Sequence, residues 1–445
     1  MKSDKVGFRF RNLVVGLKTK VPLSNGHKVF PIYFDNAATT PPFISVMREI
    51  NKFSPWYSSI HRGTGYKSQI ASQFYEDSRN DVLDFVKADP DYYTVIYVKN
   101  TTEAINKLSY RLKENLKGSI ILSTAMEHHS NDLPWREKYH VRYIDIDDSG
   151  RLSIKDLERK LCKYRDKVKL VTLTGASNVT GYINPIHQVA EIAHKYKAKI
   201  LVDGAQLVPH CPIEMGPVGL PENIDFLVFS AHKMYAPFGT GVIIGPKKYF
   251  EKGIPEYKGG GTVKLVTSKK VIWDDVPHKE EAGTANLMGI VALRAAIKTL
   301  KSIGMDKINS YEKSLTEYAL QRLSNIPNLK IYGEKNSAQR VGIISFNING
   351  VPDNVLARIL SNEGGIEVRN GCFCAHPYIQ KLLGLSRYEI NKHIKNPLSP
   401  RPGMVRISFG LYNVFSEIDT MEKILKYVSA NKDICLKKYS PSYSK

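Results

Sequence analysis

FLVFSAHK, residues 226–233, decides the fold: large apolar and β-branched residues run without interruption into Ser230, His232 and Lys233, and PFGTGVIIG follows at 237–245. Such a run reads as a buried strand whose carboxyl end delivers polar groups to a loop. The pattern recurs upstream in TVIYVKN (94–100), SIILSTA (119–125), KLVTLTGASN (169–178) and KILVDGAQ (199–206), with amphipathic helical stretches between them. Strands alternating with helices signify βαβ units and a mainly parallel sheet. In an open α/β sheet, ligands bind beyond the carboxyl ends of the strands, where these polar residues fall.

The 445 residues exceed what a single hydrophobic core usually fills. We expect an N-terminal segment (1–30), a large α/β domain (31–300) and a smaller α+β domain (301–445), bridged by a helical pattern over 286–325. Hydrophobic content of 42% and charged content of 24% are ordinary for a globular protein. No apolar run approaches the ~18 residues that span a bilayer. The opening MKSDKVGFRFRNLVVGLKTK scatters charges through its apolar stretch, unlike a secretory signal, so a soluble cytoplasmic protein is expected. Five cysteines, at 162, 211, 372, 374 and 435, are too unevenly placed for a disulfide framework and read as reduced thiols.

A net charge of +21 raises the question of nucleic acid, but the lysines are dispersed, and no zinc-finger spacing or RNA-binding aromatic signature accompanies them. The lysine-rich stretches 107–117, 158–169 and 194–199 read as solvated helix faces. Neither nucleic acid nor membrane is expected as a partner; attraction of an acidic protein is the remaining use for the charge.

Desolvation lowers the pKa of an amine, so a lysine delivered by an apolar strand is a nucleophile able to hold an aldehyde as an imine. The alternative is a surface lysine that merely ends a strand. Asp203 in DGAQ (203–206) favours the first reading, because a carboxylate there can face a pyridinium nitrogen, with Gln206 in reach of a ring hydroxyl. The pair points to pyridoxal 5'-phosphate (PLP). In NTTEA (100–104) a strand gives way to a helix whose first N–H groups, with the hydroxyls of Thr101 and Thr102, would cradle a phosphate, although alone the motif is a cap. EHHSN (127–131) offers His128 to stack on the ring and exchange protons; alone, the histidine pair reads as metal-like or structural. No Cys/His spacing supports zinc, and no metal is expected.

Taken together and in order, DNAATT (35–40), HRG (61–63), NTTEAIN (100–106), EHHSN, SNVTG (177–181), DGAQ, SAHK (230–233), EAGT (281–284) and RNGCFCAHP (369–377) resemble the class V aminotransferase group of fold type I PLP enzymes. The resemblance runs from about residue 30 to 425, and within the group it is greatest to cysteine desulfurases and selenocysteine lyases. It implies a seven-stranded, mainly parallel sheet with Lys233 bonded to the cofactor, Asp203 on the pyridine nitrogen, Gln206 on the ring hydroxyl and His128 against the ring. Thr101, Thr102, Ser230 and His232 would hold the phosphate, completed by Thr284 from the other subunit of a homodimer. Asn178 would touch both cofactor and substrate, Arg406 would pair the substrate carboxylate, and His61 and Arg369 would line the same pocket.

In the pattern R-x-G-x-x-C-A the resemblance makes Cys374 the thiolate that takes sulfur from cysteine, leaving an enzyme persulfide and alanine. The implied activity is therefore PLP-dependent desulfuration of L-cysteine, with a sulfur-acceptor protein as a further partner. Selenocysteine lysis, C–S lysis, amino-group transfer and epimerisation stay open, because members share the cofactor site and differ in a few pocket residues. Two departures bear on this: Cys372, which makes Cys-Phe-Cys, and a long connection to Arg406 containing KLLGLSRYEINKHIKNPLSPRPG. The bland reading of both cysteines is a pair of buried small hydrophobes at a strand end.

Overall fold

The computed structural model describes residues 4–396, 399 and 401–440; Pro397, Leu398 and Pro400 of the long connection lie outside these described residues. Among the described residues a seven-stranded sheet is built from β1 (Tyr93–Val98), β2 (Ile120–Thr124), β3 (His140–Ile144), β4 (Val168–Thr174), β5 (Lys199–Asp203), β6 (Phe226–Ser230) and β7 (Gly241–Pro246). Its spatial order is β1-β7-β6-β5-β4-β2-β3. Only β7 runs antiparallel to its neighbours, so the sheet is mixed but mainly parallel, as expected. Helices cover both faces, which is why the inner strands are apolar on both sides; all five residues of β6 are buried.

Register fixes the working edge. Thr174 lies beside Asp203 and Asp203 beside Val228, two residues before Ser230. The last residues of β4, β5 and β6 thus emerge together. Two strands escape the sequence pattern: β3 alternates exposed and half-buried residues at the sheet edge, and β7 rises from a Pro- and Gly-rich stretch.

The helical pattern over 286–325 breaks into Leu287–Ile303 and Met305–Ser324 at Gly304, whose φ of 93° favours glycine. Beyond it, β8 (Leu329–Tyr332), β9 (Ile343–Ile348), β10 (Arg369–Gly371) and β11 (Met404–Ser408) form an antiparallel sheet of order β8-β9-β11-β10. This sheet has its own core, including Phe346, Leu356, Ile407 and Leu425. Ile32–Tyr33, at the start of the expected large domain, pairs in parallel with Ile366–Glu367 and ties that start to this layer. No helix among the described residues is long and apolar enough to cross a membrane.

One expectation fails. Lys107 is not on a solvated face: its side chain is 2% exposed, with Nζ 3.6 Å from Glu256 and 5.0 Å from the centre of the Tyr257 ring. On the same helix, Thr101–Arg111, Arg111 is buried against Glu280 at 3.1 Å. Lysine-rich composition could not reveal this, because the acidic partners, Glu256 and Glu280, come from segments far downstream in the chain.

Gly241 sits where β7 passes the start of that helix, and a Cβ added there would lie 2.6 Å from Cα of Asn100. Because backbone cannot yield as a flexible side chain does, Gly241→Ala is expected to destabilise by about 1–3 kcal/mol. The cost should appear as a lower chemical-denaturation midpoint; an unchanged midpoint would show that Asn100 moves freely.

Candidate active site

A cavity of about 490 Å³ opens where the two sheets meet. Lys233 enters it from the single turn Ala231–Lys233 after β6. Burial lowers its amine to about 8; Asp203 opposes the effect and Arg406 adds to it. Asp203, at the end of β5, is itself buried, and burial raises its carboxyl, offset by the Ala205 N–H (3.0 Å) and the Lys233 charge. Amine and carboxyl are therefore each held away from their ordinary behaviour in one enclosed space.

His128 receives the Ser130 N–H at Nδ1 (3.1 Å), so the neutral ring carries its proton on Nε2. Burial and the nearby Lys233 lower it to about 3, which keeps the ring neutral at physiological pH. At the helix Thr101–Arg111, capped by Asn100 through the Glu103 N–H (3.0 Å), hydroxyls cluster: Thr101 Oγ1 lies 2.7 Å from Ser230 Oγ, and Thr102 Oγ1 lies 2.6 Å from Ser130 Oγ. His232, lowered to about 4 by burial and Lys233, borders the same corner. Hydroxyls around a helix N-terminus suit a phosphate.

Gln206 donates from Nε2 to the Ala37 carbonyl (2.7 Å), leaving its buried Oε1 without a donor among the described residues. A buried acceptor of this kind calls for a hydroxyl from a bound group. The residues present thus fit PLP.

The other wall comes from the small sheet, where Arg369 of β10 lies directly opposite Arg406 of β11. Asp35 holds both, at 3.2 Å from Arg369 Nε and 3.1 Å from Arg406 Nη2. Arg406 also donates from Nη1 to the Asn178 carbonyl (2.9 Å), while its buried Nε has no hydrogen-bond partner among the described residues. Asp35 was not singled out in the sequence; its place in DNAATT was the available signal.

After Gly371 the chain turns through Phe373 and Cys374 with φ of 48° and 54°. Asn178 Nδ2 donates to the Phe373 carbonyl (2.8 Å), and the His129 N–H donates to the Cys374 carbonyl (2.7 Å). His129 is a second residue that sequence reasoning passed over, beside the His128 it chose. Cys374 is exposed at the cavity rim, so the picture of two buried small hydrophobes does not hold. Cys372 is half-buried, and burial and Asp353 raise its thiol.

Two predicted residues lie outside the cavity of one chain. His61 was expected in the substrate pocket, but its left-handed backbone (φ 68°) carries the ring to Glu76 at 2.9 Å. Thr284 lines a separate recess with Tyr97, Glu281 and Asn286, where its predicted role requires a second copy of the chain.

The family model for class V aminotransferases matches residues 32–421. This chain belongs to the class V aminotransferase family. It is 35% identical over 403 residues to a probable cysteine desulfurase of Halalkalibacterium halodurans, covering 89% of this chain and 92% of that one. It is 34% identical over 411 residues to a cysteine desulfurase of Haloferax volcanii, covering 91% and 90%. The apo structure of a cysteine desulfurase from Thermococcus onnurineus NA1 superposes with a TM-score of 0.80 at 30% identity, covering 93% of this chain and 97% of that one. The family is one of PLP-dependent enzymes, in keeping with the fit of the cavity.

A Lys233 amine at about 8 makes imine formation pH-dependent. In cofactor-free protein, borohydride trapping of a small aldehyde on the Lys233 peptide, followed by mass spectrometry, should rise through a midpoint near pH 8. Because Asp203 raises this amine, Asp203→Asn should move the midpoint lower; a shift upward would contradict the pairing.

Proposed function

We propose that this chain is a PLP-dependent cysteine desulfurase that converts L-cysteine to L-alanine and carries the sulfur as a persulfide on Cys374. The observation that carries this reading is Cys374 itself, exposed on a tethered turn at the rim of the cavity that holds Lys233 and Asp203.

Lys233 would bond the cofactor, Asp203 would hold its ring nitrogen, Gln206 Oε1 its hydroxyl and His128 its face. Thr101, Thr102, Ser230 and His232 would take the phosphate, with Asn178 beside the ring and Thr284 supplied by the second copy of a homodimer. When bound, PLP supplies an electron sink that lets bonds at the α-carbon side of an amino acid break.

The remaining work falls to this chain's residues. Arg406 is fixed by Asp35 and has a free buried Nε, so it orients a substrate carboxylate together with Arg369 and Asn178. Lys233, titrating near 8, can both take and return a proton at neutral pH. Cys374 Sγ, as thiolate, attacks the substrate sulfur: the S–S bond forms as the C–S bond breaks, and the carbon that loses sulfur gains a proton to become the methyl of alanine. An exposed persulfide is then open to an acceptor protein.

The same reading divides the chain into a cofactor-binding part, 31–300, and a part carrying Cys374, 301–445, and sets it in the cytoplasm.

Cys374→Ala should stay yellow with PLP but lose alanine formation from L-cysteine by at least about 100-fold, whereas Lys233→Ala should lose covalently retained cofactor. Cys372→Ala should be mild. A wild-type protein that stays colourless with PLP would sink the cofactor assignment; desulfuration that persists in Cys374→Ala but vanishes in Cys372→Ala would move the nucleophile.

A further inference from the structure

His61, Glu76 and His278 come from three separate segments, yet one nitrogen or oxygen from each lies within 4.8 Å of the others. His61 Nε2 is 2.9 Å from Glu76 Oε1, and His278 Nδ1 is 4.0 Å from the same oxygen. The His278 Nδ1 atom is buried and has no hydrogen-bond partner among the described residues. In a single chain the three side chains are each roughly one-third exposed, at 31%, 35% and 32%.

We propose that His61 Nε2, Glu76 Oε1 and His278 Nδ1 form a site for one divalent cation of borderline softness, Zn²⁺ above all. Two imidazoles with one carboxylate make a zinc donor set that leaves a fourth position for water, whereas Mg²⁺ and Ca²⁺ prefer oxygen throughout. A tetrahedron with Zn–N bonds of about 2.0–2.1 Å has edges of about 3.3 Å. The separations of 2.9 and 4.0 Å to Glu76 Oε1 straddle that edge, so modest side-chain rotations close the site.

The surroundings prepare the carboxylate. Arg79 grips both carboxylate oxygens, donating from Nε to Oε2 at 3.0 Å and from Nη2 to Oε1 at 3.3 Å, and so fixes the carboxylate plane, as outer partners of metal ligands do. The arginine charge does not oppose the cation unanswered, because Glu281 pairs with Arg79 at 2.8 Å.

A bound ion would clamp the HRG loop and the helix Tyr66–Phe85 to the turn His278–Glu280, directly before EAGT and Thr284. Positions 61, 76 and 278 follow no metal-ligand spacing, so this site departs from the expectation, read from the sequence, that no metal is bound. The site stands independently of the reading of the cofactor cavity.

The test uses the full-length, PLP-loaded protein, stripped of metal and titrated with Zn²⁺ against a chromophoric chelator, with Co²⁺ as a spectroscopic probe. The expected result is one Zn²⁺ per chain, retained in a Cys372→Ala, Cys374→Ala double variant and weakened at least about tenfold in His278→Gln. Co²⁺ should give a visible band of tetrahedral or five-coordinate type without a thiolate charge-transfer band. Absence of stoichiometric binding, undiminished binding in His278→Gln, or loss of binding in the double cysteine variant would each overturn the proposal. Should His278→Gln fail to fold, the wild-type Co²⁺ spectrum decides: the nitrogen–oxygen band supports the site, and no band or a thiolate band refutes it.

Discussion

Buried positive charge is the constraint around which this molecule is organised. Lys233 and Arg406 both face one cavity; burial lowers the basicity of each, and Arg406 lowers that of Lys233 further. In a medium of reduced dielectric such a pair is costly unless anions answer it. The protein supplies two carboxylates, but Asp35 is engaged by Arg369 and Arg406 together. Asp203 is left as the carboxylate facing Lys233, and burial raises even that group. The cavity is therefore short of negative charge, a deficit that a phosphate and a substrate carboxylate would both relieve. Neutral His128 and His232 keep the deficit from growing, since burial and Lys233 hold both rings unprotonated.

The topology explains how so many polar groups reach one place at tolerable cost. Parallel strands bury their apolar lengths and release chemistry only at their carboxyl ends, so Thr174, Asp203 and Ser230 emerge side by side. The antiparallel strand β7 brings Gly241 against Asn100, and its lack of a side chain lets the helix bearing Thr101 and Thr102 start close to Ser230. The second sheet then closes the opposite wall with residues from adjacent strands, Arg369 and Arg406, plus the turn that follows Gly371.

Legibility in the sequence followed the same division. Long apolar runs ending in polar residues gave up five strands of the large sheet and the residues at their tips, because burial on both faces leaves a strong local signature. The edge strand His140–Ile144 has only a half-buried alternation, and Gly241–Pro246 hides among loop formers, so neither was visible. Burial of Lys107 and Arg111, and the departure of His61 from the cavity, depend on partners distant in the chain and on a left-handed residue, which no local pattern encodes. Asp35 and His129 stood inside quoted motifs, yet their importance lies in what they hold: two guanidinium groups and the Cys374 backbone.

That last tether bears on how the exposed thiol works. Phe373 and Cys374 both occupy left-handed backbone, which costs a non-glycine residue roughly 1–2 kcal/mol each. Besides the turn's own bond from the Ala375 N–H to the Cys372 carbonyl, two hydrogen bonds from outside hold it, from Asn178 to the Phe373 carbonyl and from the His129 N–H to the Cys374 carbonyl, each worth about 1 kcal/mol net. Strain and restraint are of similar size, so the turn is set by its surroundings and not by its own preference. Asn178 and His129 both belong to the large-sheet side, Asn178 lines the cavity, and its carbonyl receives Arg406. The conformation of the Cys374 turn is therefore coupled to the groups that would bind a substrate carboxylate: a ligand that draws Arg406 or Asn178 toward itself alters the balance that keeps the thiol at the rim.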